Sequence, residues 1–391
     1  MNILFTYPTV FNPIRGGVER VTDLLAKEFK KRGHNIFYLN NYKNEDLLTY
    51  PFPAQVDFFP CESYTDKSNF DFYTNYLINN NIDIVINQCG AFTDSKLYNS
   101  VKGSNAKVIS VLHTNPSLGY HYLFSEISQL RNPSFIEKIK CCARIAIYPK
   151  IKSDYLKRKK NYYHWLLTPG NTDAVALLSD SYKPELLELA NCNTKTIIEA
   201  IPNPLPYEIE NDSKKDKTIL YVGRLDVGQK RVDRLIKIWR KISPNFPEWK
   251  LKIIGDGPDR FKIEKLVSRC RNIQILGFQN PEPYYREALI LCMTSNFEGF
   301  PMVLLEVMSK GCVPIAFDSF SALQDIIEDD RLKVSPFSKK EYIAKLSNLM
   351  NNSALLSQLR AKCYENVEKF NISSICDKWE ALFNILKRNA K

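Results

Sequence analysis

What this chain lacks narrows its class early. No apolar run reaches ~18 residues, so no transmembrane helix is expected. The opening residues Asn2-Ile3-Leu4-Phe5-Thr6-Tyr7 read as a strand, without a basic start and an apolar region, so no secretory leader is expected. Ten cysteines are present, but the only close pair is adjacent, Cys141-Cys142, and no C-x-x-C or Cys/His spacing occurs. They read as reduced thiols filling the core of a cytoplasmic protein, with no metal site expected. Gly255-Asp256-Gly257 follows a strand, but Arg260 stands where a dinucleotide fingerprint needs its third glycine, so a nicotinamide enzyme is discounted. A P-loop is also missing, as are internal repeats and long low-complexity tracts.

What is present is a chain of 391 residues, enough for two domains each with its own core. A hydrophobic content of 44% and a charged content of 25% are ordinary for a globular protein. The net charge of +11 is uneven: Lys138 to Lys160 holds nine Lys/Arg and one acid, Asp154. This basic segment, residues 136–165, interleaves cations with Ile139, Ile145, Ile147, Tyr148, Tyr155, Tyr162, Tyr163 and Trp165. A solvated helical surface and a nucleic-acid groove both use such residues. Without a nucleic-acid motif the preferred partner is an anionic membrane surface, met by Lys157, Arg158, Lys159 and Lys160, and no nucleic acid is expected.

The order of elements predicts an α/β fold repeated twice. Asn2–Tyr7 is a strand, residues 12–17 a loop, Val18–Arg32 a helix with Val18, Val21, Leu24, Leu25 and Phe29 on one face, and Asn35–Leu39 a strand. That is a βαβ opening with a parallel sheet. Strands follow at Ile82–Asn87 and Lys107–Leu112, the latter running into His113, then at Ala174–Ser179 and Thr196–Ile201. A histidine at a strand's C-terminal end points into the ligand crevice of such sheets, although a satisfied loop histidine is the commoner outcome. Pro202-Asn203-Pro204-Leu205-Pro206 and the polar run from Glu210 to Lys217 mark a boundary. The predicted domains are 1–205, 206–370 and a last helix, 371–391, returning to the first domain. The pattern restarts with strands at Thr218–Val222, Trp249–Ile254, Ile273–Leu276, Leu289–Met293 and Val313–Phe317.

The densest chemistry lies in residues 295–311. Pro301 suits a first helical position and Gly311 the position past the end, which predicts a ten-residue helix of about 15 Å. It is apolar nearly all round except for Glu306, so it is expected to be buried, and a buried carboxylate needs a partner. The N–H groups from Phe300 to Val303 can hold an anion. For Glu306 an ion pair with Lys310 one turn on stands as an equal alternative. Glu298 is either a helix-start charge or a ligand-binding carboxylate. Two carboxylates also fit a retaining glycosidase, which has no use for an anion cradle.

The string E-G-F-P-x-x-L-x-E from Glu298 to Glu306 resembles the donor-site signature of family 4 retaining glycosyltransferases. The likeness extends to Gly16-Gly17-Val18-Glu19, His113, Ile201-Pro202-Asn203-Pro204 and Gly223-Arg224 with Lys230. It implies two Rossmann-like domains facing each other across a cleft, the GT-B arrangement, and a retaining, metal-independent transfer from a UDP-linked sugar, with no cofactor. It also implies the site: Arg224, Lys230 and the helix start at Phe300, Pro301, Met302 and Val303 on the diphosphate, with Gly16 and Gly17; Glu306 on the ribose; Gly277, Phe278 and Gln279 at the base; Glu298 and His113 at the transferred sugar. With the basic segment it points to a lipid-linked glycan acceptor of envelope polysaccharide assembly, met peripherally at the cytoplasmic membrane face. Two departures stand out: Asp318-Ser319-Phe320-Ser321-Ala322 and Asp329-Asp330-Arg331-Leu332-Lys333-Val334 lack glycines that relatives carry. They leave the donor sugar open, and a catalytically silent assembly partner remains the second reading.

Overall fold

The computed structural model describes residues 1–391 except 14–15, 43–49, 92, 118–134, 193, 211–213, 269 and 389–391. Two compact units divide the chain near Pro206, and the last helix belongs to the first unit.

The first unit is built on a parallel sheet. Its strands are β1 (Asn2–Thr9), β2 (Asn35–Tyr42), β3 (Val56–Phe58), β4 (Ile84–Asn87), β5 (Lys107–Leu112), β6 (Ala174–Leu177) and β7 (Ile197–Ala200), in the order β3-β2-β1-β4-β5-β6-β7. Helices α1 (Gly17–Lys31), α2 (Lys67–Asn79), α3 (Phe135–Ala146), α4 (Tyr148–Leu166) and α5 (Tyr182–Ala190) lie between these strands in the chain. The central strands β4 and β6 are buried throughout, the signature of a sheet covered on both faces. β3 and α2 were not anticipated from the pattern. The carboxylate of Asp66 starts α2 by accepting from the Ser68 N–H at 2.9 Å, and Asn69, Tyr73 and Leu77 form its buried face. In α1 the expected apolar face is shifted: Leu24 is half-exposed, whereas Asp23 is buried, accepting from Lys27 at 2.7 Å and from the Tyr50 hydroxyl at 2.9 Å. The basic segment, placed whole in the first domain by sequence, is split. Residues 135–149 group with the second unit and residues 150–206 with the first.

The second unit repeats the plan. Strands β8 (Asp216–Val222), β9 (Lys250–Ile254), β10 (Ile273–Gly277), β11 (Ala288–Met293), β12 (Val313–Phe317) and β13 (Lys333–Val334) form a parallel sheet in the order β10-β9-β8-β11-β12-β13. Its helices are α6 (Val232–Ile242), α7 (Arg260–Val267), α8 (Glu282–Glu287), α9 (Met302–Ser309), α10 (Leu323–Ile326), α11 (Lys339–Asn351) and α12 (Ser353–Glu368). In both sheets the strand order reverses once, between β1 and β4 and between β8 and β11. Loops at the carboxyl ends of such a pair part to opposite faces and leave a crevice.

The final helix, α13 (Ile372–Arg388), buries Trp379, Leu382, Phe383 and Leu386. Phe383 packs on Phe29 of α1 at 5.6 Å between ring centroids. Arg32, just past α1, donates to Asp377 at 2.6 Å, to Glu380 at 2.9 Å and to the Ser373 carbonyl at 2.9 Å. Phe383→Ala is therefore expected to cost roughly 3–5 kcal/mol. Asp377→Ala, whose side chain is 66% exposed, should cost under about 1 kcal/mol. Denaturant unfolding of the two variants measures the contrast.

Candidate active site

Residues 294–301 leave β11 at the switch point of the second sheet and lead into α9. Pro301 is the N-cap, with φ −70° and ψ 104°, and not the first helical residue, so α9 has eight residues where ten were expected. The ring fixes φ but leaves ψ extended, and the helix begins one residue later. The amide groups of Met302 and Val303 stand in the first turn, where a helix has no acceptor of its own. The other end closes as the sequence implied. Gly311 has φ +65°, its N–H donates to the Met308 carbonyl at 3.0 Å, and that of Cys312 donates to Val307 at 2.9 Å.

Glu298 and Lys230 meet. The Lys230 ammonium donates to both carboxylate oxygens, at 2.8 and 2.9 Å, with the Glu298 side chain 6% exposed and that of Lys230 25%. Two loops are laced together to bring this about. Asp226 accepts from the N–H groups of Gly228 and Gln229 at 2.6 and 3.0 Å, shaping the turn before Lys230. The Asn296 N–H donates to the Gln229 carbonyl at 2.8 Å, and its side-chain amide donates to Gly228 at 2.7 Å. Buried Arg234 donates to the Thr294 carbonyl at 3.0 Å and to Asn296 Oδ1 at 2.9 Å, its guanidinium 4.6 Å from the Phe337 ring centroid. Asp226, Arg234 and Asn296 were not singled out from the sequence. A cation inside an apolar helix face was the available signal.

Arg224 lies apart from this pair. It is exposed, and its guanidinium engages Asp226 at 3.0 Å and Gln229 at 3.1 Å. The loop carrying it follows β8 and touches the one after β9. The Leu225 N–H donates to the Asp256 carbonyl at 2.9 Å, and a Cβ on Gly255 would lie 2.0 Å from the Gly223 carbonyl oxygen. Gly255 thus serves backbone contact between two loops, which explains its glycine without a dinucleotide.

Glu306 does not pair with Lys310. The Lys310 ammonium turns to the Glu208 carbonyl at 2.9 Å and Glu210 at 3.1 Å, while Glu306, 5% exposed, accepts from the Tyr285 hydroxyl at 2.6 Å. The neighbouring Tyr284 donates to Gln279 at 3.0 Å, and Gln279 donates to the Leu276 carbonyl at 3.1 Å. One short helix, α8, therefore holds both the proposed ribose acceptor and the loop Gly277-Phe278-Gln279, in which Phe278 is exposed and Gly277 has φ +74°. Lys215 secures the same corner, donating to the Tyr285 carbonyl at 2.9 Å and the Lys310 carbonyl at 2.6 Å. The glycine-free loops are built by side chains instead. The Ser319 hydroxyl donates to the Ser295 carbonyl at 3.0 Å, and Asp329, held well below the usual carboxylate range by Arg331, ties its own turn.

In the first unit His113 follows β5 and lies against Gln88, which follows β4. The separation is 2.5 Å from Nε2 to the Gln88 carbonyl oxygen, so Nε2 carries the proton and Nδ1 keeps its lone pair. Burial pushes the imidazole down to about 4. The amide nitrogen of Gln88 is buried without a hydrogen-bond partner. Gly16 is the N-cap of α1, and a Cβ there would lie 1.7 Å from Oε2 of Glu19, which folds over it, whereas Gly17 faces open space. Burial raises the Glu19 carboxyl above its ordinary value. Among the described residues no group of three or more His, Cys, Asp and Glu is placed to hold a metal ion, and no helix is long and apolar enough to cross a membrane.

Residues 207–370 match the family model described as glycosyl transferases group 1. This stretch of the second unit is thus similar to group 1 glycosyl transferases. The chain is 31% identical over 229 residues to an exopolysaccharide phosphotransferase of Streptomyces coelicolor, covering 56% of this chain and 24% of that protein. It is 29% identical over 196 residues to the amylovoran biosynthesis glycosyltransferase AmsD of Erwinia amylovora, covering 47% of this chain and 55% of that protein. The chain thus spans a quarter to about half the length of these curated relatives. Among solved structures it is similar to the lipopolysaccharide outer core galactosyltransferase WaaB, with TM-score 0.66 and 20% identity over 98% of this chain and 99% of that one. It is also similar to Anabaena HepE in complex with UDP, with TM-score 0.72 and 13% identity over 98% and 100%. At such identities these likenesses establish the fold, that of the GT-B glycosyltransferases.

Two outcomes test this geometry. Protonation of His113 is disfavoured in the folded chain but not in the unfolded one, where the ordinary value near 6.5 applies. Its ring signals in NMR should stay those of the neutral Nε2–H form from pH 8 to about 5, and its contribution to stability should be lost as pH falls from ~6.5 towards 4. Gly255→Ala, at φ +135°, should cost roughly 2–4 kcal/mol in denaturant unfolding. Gly17→Ala should be neutral or stabilising by under about 1 kcal/mol.

Proposed function

We propose that the chain is a retaining glycosyltransferase that moves a sugar from a nucleotide diphosphate, UDP by preference, to a hydroxyl of a lipid-linked glycan acceptor in envelope polysaccharide synthesis. The observation that carries this reading is the pairing, on one short helix, of an open amide turn with a buried carboxylate one turn further on. The amides of Met302 and Val303 lie at the start of α9, and Glu306 lies within it. An anion seat beside a carboxylate held by a neutral hydroxyl suits a diphosphate joined to a vicinal diol. UDP is favoured because HepE, of similar fold, is described in complex with UDP. The polysaccharide context is favoured by relatives such as AmsD.

In this reading the diphosphate takes the α9 amides, the Lys230 ammonium and the Arg224 fork. As the bond to the sugar breaks, charge grows on the diphosphate, and donors already fixed by the Arg234–Asn296 lacing meet it with little reorganisation. The protein's own cations supply the neutralising charge, so the transfer needs no metal. Glu306 accepts from the ribose hydroxyls, its orientation held by Tyr285. The segment 277–279 lies at the base. Glu298 fixes Lys230 and contacts the transferred sugar. In the first unit, taken by itself, Gly16 and Gly17 leave room for close backbone approach by a phosphate, and neutral His113 with the unpaired Gln88 amide offers polar contacts to hydroxyls. The acceptor attacks on the face the diphosphate leaves, and a diphosphate oxygen takes its proton. The basic segment places the chain peripherally on the cytoplasmic face of an anionic membrane, where a lipid-linked acceptor is found.

Nucleoside-diphosphate release from UDP-, GDP- and ADP-sugars, with and without a polyprenyl-linked acceptor, tests this. One donor should give acceptor-dependent release, and Glu306→Ala should reduce it by about 100-fold or more. Tyr285→Phe should raise the donor KM several-fold with kcat little changed, a loss of about 1 kcal/mol. Tight nucleotide binding without release from any donor would favour a silent assembly partner instead.

A further inference from the structure

We propose that Lys215 is a positioning residue of the nucleotide site: its ammonium ties the carboxyl-terminal ends of α8 and α9 together and so sets the hydrogen bond from Tyr285 to Glu306. The inference rests on the reading that Glu306 receives the ribose hydroxyls of a nucleotide, and names the group that holds the support of Glu306 in register.

Tyr285 stands in the last turn of α8, and Lys310 is the residue at the C-cap of α9. The last carbonyls of a helix have no N–H within it to accept from, and they carry the negative end of its dipole. Here two such ends lie together, since α8 packs against α9. One ammonium answers both. Lys215 donates to the Tyr285 carbonyl at 2.9 Å and to the Lys310 carbonyl at 2.6 Å. The same tyrosine donates its hydroxyl to Glu306 at 2.6 Å, and both of those side chains are buried. Glu306 lies one turn before Lys310 on the same helix. A closed ring results, from Lys215 through Tyr285 to Glu306 and back along α9. It holds the two helices by a charge at one end and by a buried hydrogen bond at the other.

The place is a costly one for a cation. Burial pushes the Lys215 ammonium down to about 8, with Arg360 adding to the shift and Cys312, Glu210 and Cys363 opposing it. It is still an ammonium at neutral pH. Glu210 makes a second, outer bridge between the same elements, accepting from Arg286 of α8 at 2.7 Å and from the Lys310 ammonium at 3.1 Å. Its side chain is 39% exposed, so that bridge is open to solvent and contributes little. The inner bridge grips the backbone of both elements, and the backbone is what carries Tyr285 and Glu306.

Binding of UDP and of 2′,3′-dideoxy-UDP, which lacks the diol, to the full chain is measured by calorimetry. The parent should prefer UDP by about tenfold or more. Lys215→Met should weaken UDP at least about fivefold and leave the dideoxy nucleotide within about twofold, so that the preference falls. Lys215→Arg, which can donate to both carbonyls, should restore most of it. Glu210→Gln should keep the preference of the parent. Lys215→Met combined with Tyr285→Phe should lose less than the two losses added, because both act on Glu306. Lys215→Gln gives the same comparison should the methionine variant fail to fold. Equal weakening of both nucleotides would make Lys215 a prop of the fold, overturning the proposal while the nucleotide reading stands. No binding of UDP by the parent, or equal binding of the two nucleotides, would remove the ribose role of Glu306 and the proposal with it.

Discussion

A carboxylate taken out of water must be answered in place, and the second unit is arranged around one such answer. Glu298 is almost fully buried, and Lys230 meets both of its oxygens. Removing two charges from water is costly unless geometry is held. Asp226, Gln229 and Asn296 pin the two loops together, and Arg234 pins Asn296 from below. The cation is therefore fixed on Glu298, in the loop that leads into α9.

The parallel topology explains why this happens where it does. Reversal of strand order between β8 and β11 separates the loops that follow them and opens a crevice at their carboxyl ends. The first sheet repeats the device between β1 and β4, with Gln88 following β4 and His113 the adjacent β5. Gly255 stands where two backbones converge, against Gly223, and Gly16 lies under the Glu19 carboxylate. Their role is to let neighbouring groups approach. Where glycines of the family pattern are missing, at 318–322 and 329–334, hydroxyls and a carboxylate tie the turns.

Legibility followed the physics of range. The strands carrying the site were read to within a few residues because buried parallel strands are near-continuous apolar runs. β3 and α2 escaped because three residues of edge strand and a mixed helix face leave no period to read. Pro301 was displaced by one position, since the ring constrains φ and leaves ψ to the surroundings. The alternative partner of Glu306 shows the limit most clearly. Spacing allowed Lys310, four residues on, as an equal alternative, but Lys310 found Glu208 and Glu210, about a hundred residues away in the chain.

By itself the sequence determined the repeated βα plan and the stop of α9 at Gly311. Those depend on local propensity, short-range hydrogen bonding and the apolar period, all of which act between near neighbours. Only the tertiary structure decided that Tyr285 holds Glu306, that Arg234 and Asn296 brace Lys230 and Glu298, that Lys159 turns inward, and that Ile136 and Ile139 of α3 stay exposed. Each of those depends on which groups packing leaves within reach, and on which desolvated charge or hydroxyl must then be satisfied. Neither condition is written in spacing along the chain.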